Sequence, residues 1–187
     1  MINEDEDDLI EALNKEITES KFDILSLMVS PPKKLISYIK RFLRHGKKEV
    51  GIVIDGPNIL RKINGKRVAL KDILQKAEKI GRISRSVAVL SSDAPTSLIK
   101  ALTNSGFETV IPPGDIHVAM ATEVMKMLKQ HDIDVIIIGS RDTRCLPILQ
   151  KIKSEGAISV IMGFEPGFAV ALKNAADEVI YLELYEE

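Results

Sequence analysis

The chain has 187 residues, with 26 Lys and Arg against 27 Asp and Glu, 45% hydrophobic residues, 4% aromatics and no Trp. That length holds one well-buried domain with a modest extension, not two ordinary domains, and the composition excludes a disordered, collagenous or aromatic-rich binding chain. No apolar run approaches the roughly 20 residues of a membrane-crossing helix. The acidic start MINEDEDDLIEAL is unlike a secretory leader. A single cysteine, Cys145, excludes an internal disulfide and a thiolate zinc cluster, so a cytoplasmic setting is expected.

The near-zero net charge of −1 hides three blocks: residues 1–32 sum to −7, residues 33–85 to +12 and residues 86–187 to −6. A basic block of that size attracts a polyanion through counterion release, although solvated helix backs produce the same counts.

In chain order, Leu9, Leu13 and Ile17 recur at helical spacing. Ser30-Pro31 reads as the start of a second helix that Gly46 closes. Residues 1–46 are therefore expected to be a helical N-terminal extension, acidic then basic, and residues 47–187 the main domain. From Val50 the pattern changes. Short β-branched runs at Val50–Ile54, Ser86–Leu90, Glu108–Ile111, Asp134–Ile138, Ala157–Met162 and Glu178–Leu182 read as strands covered on both faces. Helical patterns lie between them at Ala69–Ile80, Pro95–Thr103, Ile116–Lys129, Leu146–Glu155 and Gly167–Ala175. Strands alternating with helices predict right-handed crossovers, hence a three-layer, Rossmann-like α/β sandwich on a mostly parallel sheet. Ligands of such sheets sit beyond the C-terminal strand ends, where the strand order reverses.

At those ends stand Asp55-Gly56-Pro57-Asn58, Ser91-Ser92-Asp93 and Ser140-Arg141-Asp142-Thr143-Arg144. None is a dinucleotide or Walker loop. Asp55 and Asn58 suit turn and cap hydrogen bonds, Asp93 suits an N-cap, and Ser140 or Asp142 suits a cap on the following helix. If the order reverses between the Val50–Ile54 and Asp134–Ile138 strands, Asp55 and Asp142 face one another across the crevice. On the Ile116–Lys129 helix, Ile116, Met120, Ala121, Val124, Met127 and Leu128 form the apolar arc, with Glu123 at its margin and His117 near its start. A buried Glu123 needs a partner, and a lone His in such an arc is commonly a hydrogen-bonded residue. Asp55, Glu123 and Asp142 converging at one rim would need a cation between them. Oxygen donors of this kind favour Mg²⁺ or Mn²⁺, as in metal-dependent phosphodiester hydrolysis.

The segments GIVIDGPNIL, GDIHVAMATEV, DVIIIGSRDTRCLPIL and AVALKNAADEVIYL, in that order, resemble the NYN family, in particular the LabA-like branch of the PIN-like ribonuclease superfamily, over about residues 49–183. The resemblance implies a PIN-like fold, a divalent-metal site of acidic side chains and RNA as substrate. Asp55 and Asn58 match the family's Asp-x-x-Asn, Glu123 an acid of the helix before the Asp134–Ile138 strand, and Asp142 the first Asp of Ser-Gly-Asp-Ser-Asp-Phe. The departures are His117 where the family has an earlier Asp, with Asp115 as a replacement ligand, and Arg141, Arg144 and Cys145 in place of the motif's Gly, second Asp and Phe.

The leading expectation is a metal-dependent endoribonuclease. Asp55, Glu123 and Asp142, with Asp115, would hold Mg²⁺ or Mn²⁺, and Asn58 would orient water or phosphate. Arg61, Lys62, Lys66, Arg67, Ser140, Arg141 and Arg144 would contact single-stranded RNA. A non-catalytic RNA-binding or regulatory domain and a nucleotide-binding protein or small-molecule phosphohydrolase are the alternatives. The acidic first helix is expected to screen the basic block, to drive homo-oligomerisation through Leu9, Leu13 and Ile17, or to be a solvated tail. In the Gly163–Gly167 loop, Phe164 and Phe168 are expected to pack rather than to stack on a base.

Overall fold

The structure, a computed structural model, describes residues 46–129 and 133–186. The two helices expected before Gly46, with Leu9, Leu13 and Ile17, lie outside the described residues.

Strand β1 (Glu49–Asp55) is buried along its whole length, as its unbroken EVGIVID run requires of a central parallel strand. It leads into the one-turn helix α1 (Gly56–Ile59), the short strand β2 (Lys66–Val68) and helix α2 (Leu70–Glu78). Next come β3 (Arg82–Val89), α3 (Thr96–Asn104), β4 (Glu108–Val110) and α4 (Ile116–Lys129). The second half runs β5 (Val135–Gly139), a 3₁₀ turn at Thr143–Cys145, α5 (Leu146–Ser154), β6 (Ile158–Gly163), α6 (Val170–Ala175), β7 (Glu178–Tyr181) and β8 (Leu184–Glu186).

Six strands form one sheet in the order β4-β3-β1-β5-β6-β7, and every pairing in it is parallel. From β1 the chain builds outward through β3 and β4, then returns to the other side of β1 with β5. The order therefore reverses between β1 and β5, with Ile54 opposite Gly139 at their ends.

The period-2 alternation of strand side chains divides the core in two. Val50, Ile52 and Ile54 of β1 join Val135 and Ile137 of β5 on one face. Val53, Ile136 and Ile138 pack on the other face against Met120, Val124 and Met127 of α4 and against Leu149 and Ile152 of α5. Each such fully buried aliphatic side chain contributes about 1.5–3 kcal/mol, so these two clusters, not the surface ion pairs, hold the sandwich together. No helix among the described residues is long and apolar enough to cross a membrane.

Two features depart from the sequence expectation. Strand β2 was not expected. Asn64 (φ 50°) and Gly65 (φ 79°) both take left-handed backbone and form a two-residue hairpin turn between Ile63 and Lys66. The pair β2–β8 then forms a separate antiparallel ribbon that sets Arg67 opposite Tyr185. Asp93, expected as an N-cap, does not cap α3: the cap position is Pro95, with no side-chain bond. The Asp93 carboxylate lies below its usual range chiefly through its hydrogen bond with Ser91, and Pro95 fixes the extended entry to the helix in its stead.

Candidate active site at the C-terminal rim

The ends of β1 and β5 meet at the crevice. Asp55 is the last residue of β1 and only 3% exposed. Gly56 follows it because a side chain there has no room: a Cβ would stand 2.5 Å from Leu90 Cδ2 and 2.9 Å from the Val89 carbonyl. The Asp55 carboxylate caps α1 by accepting the Asn58 N–H through Oδ1 at 3.2 Å. Through Oδ2 it accepts the Ser140 hydroxyl at 3.2 Å. Ser140 is itself completely buried and its Oγ accepts the Asp142 N–H at 3.2 Å, so one hydroxyl links both acids. Burial raises the Asp55 pKa above its ordinary 3.8, against the opposing pull of His117 and the two hydrogen bonds.

Asp142 has the opposite character. It caps the 3₁₀ turn by accepting the Arg144 N–H at 2.9 Å, and it takes the Arg144 guanidinium at 2.7–3.2 Å from Nη2 and Nε. This pairing pulls its pKa down to about 2. Two carboxylates at one rim thus differ by environment, one desolvated and one clamped.

His117 lies between them. Its Nε2 is 3.5 Å from Asp55 Oδ2 and 3.8 Å from Asp142 Oδ2, and its Nδ1 is 3.5 Å from Asp115 Oδ1. Both ring nitrogens are buried and neither makes a hydrogen bond. Asp115 is fixed where α4 begins, accepting the N–H groups of His117 at 2.7 Å and Val118 at 3.2 Å. Those bonds lower its pKa.

Glu123 is not brought to this group. It lies six residues along α4 from His117, about 9 Å of helical rise, and its carboxylate pairs with Arg85 Nη2 at 3.0 Å and Lys126 Nζ at 2.6 Å. Arg85 in turn makes two bonds to Glu108 at 2.7 and 3.0 Å. The partner that a buried Glu123 requires is therefore this pair of cations. Arg141 also differs from the phosphate-binding expectation. Its guanidinium lies 4.0 Å over the Phe164 ring, donates to the Pro166 carbonyl at 2.7 Å and reaches the Asn58 carbonyl at 3.3 Å. The Arg141 N–H is accepted by Asn58 Oδ1 at 2.9 Å. Asn58 and Arg141 thus tie the loops after β1, β5 and β6 together. Phe164 and Phe168 are buried core residues, and Cys145 beside the site is pushed up to about 12 by burial.

Of the basic stretch, Arg61, Lys62 and Arg67 are exposed and Lys66 is half-buried. Lys66 pairs with Glu186 across the β2–β8 ribbon at 3.1 Å. Arg61 is near enough to Arg141 to lower that guanidinium's pKa, an effect second to burial, which places the start of the basic stretch near the crevice. The ribbon itself was legible in Asn64-Gly65, a strong hairpin signal.

Among the described residues no group of three or more His, Cys, Asp or Glu side chains is placed to hold a metal ion. The donors do not fit two ions in an acidic cluster, because Glu123 is neutralised elsewhere and Arg144 stands where a further carboxylate would be needed. The orphaned His117 nitrogen faces Asp55 and Asp142, and a buried, desolvated carboxylate such as Asp55 gains from a counter-charge.

The NYN domain profile matches residues 49–183, and the chain belongs to the NYN family of the PIN-like nuclease superfamily, whose members act on nucleic acid. The chain is 37% identical over 143 residues to an uncharacterized protein of Methanocaldococcus jannaschii, a match covering 76% of this chain. It spans 59% of the length of that curated relative. A crystal structure of a protein of unknown function from Vibrio parahaemolyticus superposes with a TM-score of 0.66 at 17% identity. That match covers 75% of this chain and 96% of the other and supports the fold.

Proposed function

We propose that this chain is a cytoplasmic, divalent-metal-dependent ribonuclease that hydrolyses phosphodiester bonds of single-stranded RNA. The observation that carries this reading is the pairing of buried Asp55 with Asp142 at the ends of adjacent strands, His117 standing between them. Asp55 and Asp142, with Asp115 close by, would hold Mg²⁺ or Mn²⁺. A bound divalent ion supplies positive charge to a phosphate oxygen and makes an attacking water more acidic. The protein's own part is positional. Ser140 holds Asp55 through its hydroxyl, and Asn58 fixes the loop that carries Asp142. Arg144, exposed on Asp142, is placed to exchange that carboxylate for a phosphate of the strand, a planar pairing that arginine favours. Arg61, Lys62, Lys66 and Arg67 draw the backbone in by charge. Few aromatics are present to add base stacking.

The test is a cleavage time course on labelled single-stranded RNA in Mn²⁺, Mg²⁺ or EDTA, comparing the parent with Asp55→Asn and Asp142→Asn. Metal-dependent cutting that disappears in both variants is expected. One observation favours a second reading, RNA binding without cleavage: Arg144 already neutralises Asp142. On that reading the folded parent binds RNA in a salt-sensitive manner and never cuts it, with or without metal.

A further inference from the structure

We infer that Asp142 is an internal stand-in for a substrate phosphate: it occupies Arg144 in the RNA-free protein, and RNA binds by displacing it from that guanidinium. The inference rests on RNA as the partner in the reading above, and it holds whether or not the bound RNA is then cut.

Three observations lead to it. First, the pairing has the form in which arginine takes a phosphodiester. Arg144 donates from Nη2 at 2.7 Å and from Nε at 3.1 Å to Asp142 Oδ2, with Nε also 3.2 Å from Oδ1. Such side-on pairing of the planar fork serves carboxylates and phosphates alike. Second, the guanidinium is open to a partner from solution. Its side chain is 63% exposed, and Asp115 Oδ2 lies 3.9 Å from Nη1, too far for a hydrogen bond. Third, the exchange leaves the loop intact. Asp142 also accepts the Arg144 backbone N–H at 2.9 Å and donates its own N–H to Ser140 Oγ at 3.2 Å. Neither bond uses the guanidinium, so the 3₁₀ turn keeps its cap when the side chain swings to a phosphate.

The arrangement then selects the kind of anion. An exposed ion pair contributes little, because water solvates both partners when it opens. Asp142 is nevertheless tethered two residues from Arg144 and so competes at high effective concentration against any free phosphate. An RNA strand already held at the basic stretch that begins with Arg61 is tethered too, and its binding gains from counterion release. The exchange therefore favours a polymer over a free nucleotide.

The experiment measures binding of a labelled oligouridylate to the full chain by fluorescence anisotropy in EDTA, across a salt series. It compares the parent with Asp142→Asn, Arg144→Ala and the double variant, each verified as folded by circular dichroism and thermal melts. Asp142→Asn, which frees Arg144, is expected to tighten binding about two- to fivefold. Arg144→Ala is expected to weaken it about tenfold and to lower the salt slope by about one. In the Arg144→Ala background, adding Asp142→Asn should give no comparable gain. An equal gain in both backgrounds would mean plain charge repulsion by Asp142 and overturns the inference. A second measurement needs no substitution at Asp142: the Arg144 Nε–H resonance, assigned by its absence from Arg144→Ala, should move when RNA saturates the parent. A resonance that stays in place also overturns the inference, as does RNA binding that appears only with Mn²⁺, because exchange between two anions needs no cation. In these cases RNA remains the partner. If the folded parent binds no RNA with or without Mn²⁺, the RNA reading falls and the inference with it.

Discussion

The two ends of the central sheet treat their charges differently. At the N-terminal end, Glu49 takes Arg82 at 2.6 and 2.9 Å, and its own N–H is accepted by Asp134 at 2.9 Å. Asp177 takes the N–H and hydroxyl of Ser159 at 2.9 and 2.8 Å, with Lys153 beside it at 3.0 Å. Each of these acids has a partner at bonding distance. At the C-terminal end, Asp55 is raised by burial and its neighbour His117 stands just out of hydrogen-bond range. Asp142 is held by Arg144 at this end too, so what sets the C-terminal end apart is the desolvated Asp55 beside a histidine whose ring nitrogens make no hydrogen bond. The difference separates scaffold from site without counting carboxylates.

Breaking the scaffold end should have the largest effect. A Cβ at Gly81 would meet the Lys48 backbone carbonyl at 2.1 Å, where the Arg82 N–H bonds that same oxygen at 2.8 Å. Gly81→Ala should therefore cost about 3 kcal/mol, read by urea denaturation. Glu123→Gln tests the placement of that acid in the scaffold. A loss of about 2 kcal/mol is expected, below the usual cost of stripping a buried pair because Glu108 remains on Arg85. Cation affinity should be unchanged, and a loss of metal binding in Glu123→Gln would return that residue to the site.

Asp55→Asn should go the other way. Charging this buried acid costs the fold stability as pH rises past the ordinary 3.8, so removing the charge should raise the melting temperature at pH 7 while abolishing cation binding. Such opposition of stability and function is characteristic of a site. Asp142 has the reverse sign. Its lowered pKa contributes stability that is fully present above 3.8 and is lost as pH falls through about 2. In Arg144→Ala that contribution should largely disappear, and carboxyl-carbon NMR should show Asp142 titrating at higher pH than in the parent. The smallest effect expected is at Cys145, whose thiol at about 12 should resist alkylation at pH 8 until the protein unfolds.

The sheet was legible because fully covered parallel strands must be continuous apolar runs, as in Val135–Ile138. The neighbouring of β1 and β5 was conditional in the sequence on a reversal of strand order between them; the observed order makes them neighbours and sets Asp55 beside Ser140. Glu123 was harder for a geometric reason. Helical periodicity gives the direction a residue faces, not its height along the axis, and its partner Arg85 lies 38 residues away. His117 read as a hydrogen-bonded or partly exposed histidine because the two aspartates that surround it come from other segments. Arg141 read as a phosphate contact because nothing in the sequence announced that Phe164 would lie beneath it.

The Arg141 tie has an evolutionary consequence. Since Asn58, Arg141 and Phe164 hold three loops in place, the Arg144 side chain projects beside a frame that does not depend on it, and His117 stands on α4 outside that tie. A lineage can exchange those two positions in single steps, retuning or silencing the chemistry while the architecture is inherited intact. The double variant His117→Asp with Arg144→Asp tests that independence, with an unchanged circular dichroism spectrum as the expected outcome.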